Sequence, residues 1–119
     1  MKYGTKIHYI FETEDFTNPH HEEVKKLLQH QEIKNIKEAK IFKEYEFYFE
    51  EENKSYHGII DLMLEYQNQI IIIDYKLSDI TDENYKKQLQ GYKNYIENKT
   101  NKPVTTYLYS ITQDILKEI

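Results

Sequence analysis

The sequence contains no cysteine. A disulfide framework, a thiolate zinc site and an iron–sulfur cluster are thereby excluded within this chain. Tryptophan and arginine are also missing, and all 16 basic residues are lysine. Set against twelve tyrosines, this imbalance fits codon bias in an AT-rich genome and carries no functional reading. Glycine occurs only at Gly4, Gly58 and Gly91. No Gly-rich phosphate loop can be built from these, so no ATP site is expected in this chain. No apolar run approaches the roughly 18 residues of a membrane span. Met1-Lys2-Tyr3-Gly4 has neither the charged nor the apolar region of a signal peptide. A cytoplasmic location and no membrane partner are the expectations. The net charge of −5 argues against binding nucleic acid by bulk charge. It leaves room for an enzyme that grips phosphates locally, through metal ions and a few lysines. At 119 residues one domain over 1–119 is expected, large enough to bury a core without staples.

Periodicity gives the order of elements. Tyr3, Ile7, Ile10 and Phe11 fall on one face of a helix running from Lys2 to about Glu14. Asn18-Pro19 predicts the cap and first turn of a second helix, with Glu22 and Glu23 near its positive end. Its stripe is Val24, Leu27 and Leu28, and it ends near His30. From Ile41 to Phe49 the period falls to two. Ile41, Tyr45, Phe47 and Phe49 share one face, with Glu44 and Glu46 opposite. Glu51-Glu52-Asn53-Lys54 predicts a hairpin turn. Tyr56–Tyr66 follows as a strand with Tyr56, Ile60, Leu62 and Leu64 on one face. After a turn at Gln67-Asn68, Ile70-Ile71-Ile72-Ile73 opens a central strand, apolar on both faces. Thr81 or Asp82 caps a helix to about Asn98, with Tyr85, Leu89, Tyr92 and Ile96 as its stripe. Val104–Ile111 is a last strand, and Thr112–Ile119 a short helix or a frayed end. The order α-α-β-β-β-α-β gives an α/β fold, a mixed central β-sheet flanked by helices.

The chemistry sits where polar residues interrupt these apolar strands. The central strand ends Ile73-Asp74-Tyr75-Lys76, with Asp74 and Lys76 on one face and Tyr75 on the other. Asp61 stands between Ile60 and Leu62. An acid or base at such a place is costly to desolvate unless it is paired or binds a metal. Adjacent antiparallel strands can bring Asp61 and Asp74 together, and two close carboxylates repel unless a cation lies between them. Oxygen ligands of this kind suit Mg²⁺ or Mn²⁺. A lysine beside such a metal can orient an attacking water or help deprotonate it. The plain structural alternative is an Asp74–Lys76 strand-end ion pair with Asp61 as a satisfied core group.

Five stretches, taken in order, resemble one known family. Gly4-Thr5-Lys6-Ile7-His8 is similar to its Gly-x-x-x-His opening, and Glu44-Tyr45-Glu46-Phe47 to its Glu-x-Pro-Phe strand. Gly58-Ile59-Ile60-Asp61-Leu62, Asp74-Tyr75-Lys76 and Gln88-x-x-x-Tyr92 resemble the other three. The family is the nuclease domain at the C-terminal end of RecB and AddA helicase–nucleases, within the PD-(D/E)xK superfamily. The resemblance implies a restriction-endonuclease-like core and a Mg²⁺-dependent DNA exonuclease or endonuclease, with Mn²⁺ able to substitute. It implies that His8, Asp61, Asp74 and the Tyr75 carbonyl are metal ligands and Lys76 the catalytic lysine. Gln88 and Tyr92 would support the site and contact the DNA backbone. Glu44 would stand behind the ligands or beside a second metal. The implied partners are DNA, as single strands or duplex ends, and a helicase, separate or in the same chain.

The sequence departs from the family at Glu46, where the family has proline, and at Leu77, where threonine or serine is common. No helicase accompanies the motifs, so the chain is either free-standing or a C-terminal piece of a helicase–nuclease. Two other classes fit the same residues: a catalytically silent domain that docks DNA or a helicase, and a small site-specific endonuclease. Tyr92 also reads as core, and Glu44 as a solvated strand residue. His20 and His21 are adjacent on the expected helix and point apart, which makes them poor joint ligands. His57 has no evident partner, and His30 reads as a solvated helix end. Gly91, inside a helix, reads as room for close packing beside Tyr92.

Overall fold

The computed structural model of the chain describes residues 3–119, without the side chains of Tyr3 and Thr5. The expected helix start at Lys2 and the place of Tyr3 in the first stripe therefore lie outside the described residues. The helices are α1 (Tyr3–Thr13), α2 (Glu22–Leu28) and α3 (Glu83–Thr100). The strands are β1 (Lys40–Glu51), β2 (Lys54–Glu65), β3 (Ile70–Lys76), β4 (Val104–Ser110) and β5 (Ile115–Glu118). They lie side by side in the order β1-β2-β3-β4-β5. The first three form an antiparallel meander, α3 crosses over to β4 parallel to β3, and β5 returns antiparallel.

The sheet is covered on both faces. On one, Ile7 and Phe11 of α1 and Val24 and Leu27 of α2 pack on Leu62, Leu64, Ile71, Ile73 and Tyr109. On the other, Leu89, Tyr92 and Ile96 of α3 pack on Ile60, Met63, Ile70, Ile72 and Leu108. Burial on both sides explains the unbroken isoleucine run of β3. No helix among the described residues is long and apolar enough to cross a membrane.

Two elements differ from the periodicity reading. Helix α2 starts later than Asn18-Pro19, with His21 as its N-cap. The cause is Glu14, whose carboxylate accepts the His20 backbone N–H and bonds the His21 ring, so both residues are held outside the helix. Asp15 ties the preceding turn through Thr17 N–H at 2.9 Å. The end of the chain is β5, neither a helix nor frayed. Asp114 adopts a left-handed φ of 53°, which an aspartate tolerates better than most residues, and turns the chain back. The turn is anchored from two sides, by Tyr109 Oη–H at 2.7 Å and His30 Nε2 at 2.8 Å. His30 is therefore a partnered residue between α2 and this turn.

The β1–β2 hairpin forms where expected. Glu52 and Asn53 have φ of 51° and 63°, the pair of positive angles a type I′ turn requires. The faces of its strands are another matter. Ile41 packs on the α1/α2 side, but Phe42, Tyr45, Phe47 and Phe49 pack on the α3 side. In β2, Leu62 and Leu64 face α1/α2, while Ile60 faces α3. Simple alternation cannot produce either set. Both strands change face at one rung. Lys43 pairs with Leu62 and Tyr45 with Ile60, but Glu44 and Asp61 between them do not pair. Glu44 takes a left-handed φ of 51°. Beyond this rung Gly58 is needed, because a Cβ there would enter the Phe47 ring. That ring is fixed by Tyr95 stacked at 4.5 Å. At Gly91, by contrast, a Cβ would meet nothing within 4 Å, so this glycine makes no close packing beside Tyr92.

Candidate active site

Strands β2 and β3 part at the same place. Their last paired rung is Leu62↔Ile73, and the next residues along are Asp61 and Asp74. A fork opens there, and polar side chains enter it from both faces of the sheet. From the α1 side come His8, Glu44 and Asp61, whose donor atoms lie within 4.8 Å of one another. Ile7 and Phe11, 2% and 1% exposed, pin α1 so that half-buried His8 reaches the fork. Its ring stands edge-on to Tyr75 at 6.1 Å. Glu44 is aimed here by the face change in β1. From the α3 side come Asp74 and Lys76, with Oδ2 and Nζ 3.0 Å apart. Apart from this ion pair, the buried Asp74 Oδ2 has no hydrogen-bond partner among the described residues. The Lys76 ammonium also lies 4.0 Å from the centre of the Tyr85 ring.

An open cleft of about 470 Å³ joins the two groups, lined among others by His8, Asp61, Asp74, Lys76, Gln88 and Tyr92. Gln88 donates through Nε2 to Tyr92 Oη at 3.0 Å. Tyr92 is both core and cleft: its ring packs edge-on to Phe47 at 5.3 Å while the residue lines the opening. His57 lines the opening too, bonded to Glu46 at 2.6 Å and stacked on Tyr48 at 4.5 Å. A cavity of about 530 Å³ at the β2–β3 turn is slightly larger, but among the described residues no group of three His, Asp or Glu side chains converges on it.

Asp61 Oδ2 accepts the Tyr75 backbone N–H at 2.8 Å. In an extended strand a residue's N–H and C=O point to the same edge, and neighbours point to opposite edges. Lys76 C=O accepts from Ile111 on the β4 side, so the Tyr75 carbonyl faces the fork.

The charges here are crowded. Burial first, and then the Asp74 carboxylate, push the Asp61 pKa up to about 8. The Glu44 pKa is raised by burial and by Glu12 and Asp74, against the pull of His8. Burial draws the Lys76 pKa down, but Asp74 outweighs it and the net shift is upward. Burial holds the Tyr75 phenol well above its ordinary range, and its hydroxyl has no partner among the described residues. Asp61 and Glu44, both held above the usual carboxylate range, with the Asp74 carboxylate close by, fit a divalent cation. Several oxygens and one imidazole suit Mg²⁺ or Mn²⁺.

Tyr85, a stripe residue by periodicity, stands against Lys76; its position three residues before Gln88 on the same helix face is the sequence signal for that place. The resemblance puts Glu44 behind the ligands or beside a second metal; its approach to within 4.8 Å of His8 and Asp61 depends on its left-handed backbone.

Two curated proteins align with part of this sequence, and both are ATP-dependent helicase/nuclease subunits. The chain is similar to a short segment of each. To the one from Clostridioides difficile (strain 630) it is 34% identical over 77 residues, 56% of this chain and 6% of the relative. To the one from Clostridium beijerinckii (strain ATCC 51743 / NCIMB 8052) it is 34% identical over 99 residues, 64% and 8%. The chain thus spans less than a tenth of the length of these relatives. No family model matches the chain.

Proposed function

We propose that residues 1–119 form a metal-dependent deoxyribonuclease domain of the RecB/AddA type, with the restriction-endonuclease-like core of the PD-(D/E)xK superfamily. The observation that carries this reading is the strand fork, where His8, Glu44 and Asp61 converge beside the Asp74–Lys76 pair. The similarity to helicase/nuclease proteins points the same way. The reaction is hydrolysis of a DNA phosphodiester, in DNA end processing and recombinational repair.

His8, Asp61, Asp74 and the Tyr75 carbonyl would hold Mg²⁺ or Mn²⁺, joined by Glu44 from β1. A bound cation would supply positive charge for a phosphate oxygen and for a deprotonated water. The chain's own groups do the rest. The Tyr75 N–H fixes Asp61, which removes its freedom to turn away. Lys76 orients the water and offsets charge that develops on the phosphate oxygens. Gln88 and Tyr92, bonded to each other at the cleft, present polar atoms to the DNA backbone. A helicase, in the same polypeptide or a separate one, supplies the strand.

The test is cleavage of end-labelled single-stranded and duplex DNA by the chain, with Mg²⁺ and with EDTA. Metal-dependent shortening that disappears in Asp74→Ala supports the reading. Binding of DNA ends without metal-dependent cleavage overturns it in favour of a silent docking domain. Cleavage of closed circles would instead indicate an endonuclease.

A further inference from the structure

In the proposed nuclease Asp74 has two tasks that compete. It serves the cation, and it is the ion-pair partner of Lys76 at 3.0 Å. Whatever charge Asp74 gives to a cation weakens its hold on the ammonium. Lys76 sits on a flexible four-carbon stem and its side chain is 25% exposed. It can swing into water unless a second group retains it.

Tyr85 is placed to be that group. Its ring centre lies 4.0 Å from Nζ, well inside the range in which an aromatic face attracts a cation. Tyr85 belongs to the first turns of α3, whose start is fixed by Asp82 accepting the Asn84 N–H at 2.9 Å. Farther along, the helix is anchored by Leu89 and Ile96, 0% and 1% exposed. The ring is therefore carried by a rigid element. Near a helix start, where the backbone dipole is positive, an ammonium is otherwise disfavoured, and the electron-rich ring face offsets this.

We propose that Tyr85 is a positioning residue for Lys76: its ring keeps the ammonium at the cleft when Asp74 is engaged by a cation. The proposal rests on the nuclease reading for its purpose, but its geometry can be tested without cleavage. The ε-methylene protons of Lys76, lying against the ring, should be shifted upfield in proton–carbon NMR spectra of the full chain. The shift should persist in saturating Mg²⁺. Tyr85→Phe keeps the ring and should keep the shift and the cleavage rate. Tyr85→Leu keeps an apolar side chain, and should lose the shift and lower kcat about ten-fold with KM unchanged. Rescue by phenylalanine but not leucine, read as kcat rather than KM, distinguishes positioning from packing. An unshifted Lys76 resonance in the wild type, or a shift lost on adding Mg²⁺, overturns the proposal. So does a Tyr85→Leu protein with undiminished kcat. If the wild type does not cleave DNA at all, the nuclease reading fails, and the Mg²⁺-saturated shift alone decides where the ring holds Lys76.

Discussion

Asp61 of β2 and Tyr75 of β3 are joined by one hydrogen bond, Tyr75 N–H to Asp61 Oδ2 at 2.8 Å, across a gap where their strands no longer pair. A side chain has replaced a backbone acceptor in the sheet. The exchange holds the carboxylate at the fork and leaves it one further oxygen to use. It also places a carboxylate beside a second one.

The first prediction concerns the donor set. Mg²⁺ or Mn²⁺ should raise the melting temperature by binding only the native state. Glu44→Gln should weaken that binding about ten-fold, comparably to loss of one ligand. His8→Ala should weaken Mn²⁺ more than Mg²⁺, because imidazole suits the softer ion. Metal titrations followed by thermal denaturation check this, and an unaltered Mn²⁺ shift in both variants would remove them from the set.

The second concerns pH in the absence of metal. Burial and Asp74 raise Asp61 from 3.8 to about 8, so between these values the native state holds a proton that the unfolded chain has released. Stability from this group is complete below the unfolded value and disappears as pH rises through the folded one. In EDTA the melting temperature should therefore decline between about pH 5 and pH 8. Asp61→Asn, which imitates the protonated form, should flatten the decline. A variant with the same slope as wild type would show that another group is responsible.

The third separates catalyst from ligand. Lys76→Ala should reduce cleavage at least 100-fold, on the scale of losing a positioned acid–base group. It should leave Mg²⁺ affinity unchanged or tighter, since a nearby positive charge is gone. Without metal the variant should lose about 1 to 3 kcal/mol of stability, because buried Asp74 is then unpaired. Denaturant melts with and without Mg²⁺ measure both effects.

The fourth sets two glycines against each other. Gly58→Ala forces a methyl into the fixed Phe47 ring and should destabilise the protein by about 1 to 3 kcal/mol. Gly91→Ala meets open space inside α3 and should stabilise it by about 1 kcal/mol. Equilibrium unfolding of the two variants gives opposite signs if the packing is as described.

What could be seen in the sequence was whatever repeats at short range. The stripe of α3, the alternation on either side of the hairpin and the apolar run of β3 are local signals, and each led to the right element. The convergence of Asp61 and Asp74 was legible too, because two strands joined by a tight turn must be neighbours. The rest depended on interactions that skip along the chain. Glu14 reaches forward to delay α2, and Asp114 is fastened by His30 from far upstream, so the last strand has no local signature. Glu44 looks like any strand glutamate. Its left-handed backbone is disfavoured for that residue on its own, and only the surrounding sheet holds it there.

The change of face at Glu44 and Asp61 has a mechanical meaning. The outer hairpin, from Tyr45 to Ile60, takes its apolar support from α3 through Phe47, Tyr92 and Tyr95, whereas Leu62 and Leu64 belong to the core of α1 and α2. Before the rung the strand pair serves both cores, with Phe42 and Met63 toward α3 and Ile41, Leu62 and Leu64 toward α1 and α2; beyond it the support comes from α3, and at the rung itself Glu44 and Asp61 do not pair. Amide protons of the outer hairpin should exchange in step with those of α3 rather than with the inner half of β2. Any flexing of that rung would carry His57 and Ile59, at one wall of the cleft, toward or away from Asp61, and so change its width without disturbing the rest of the sheet.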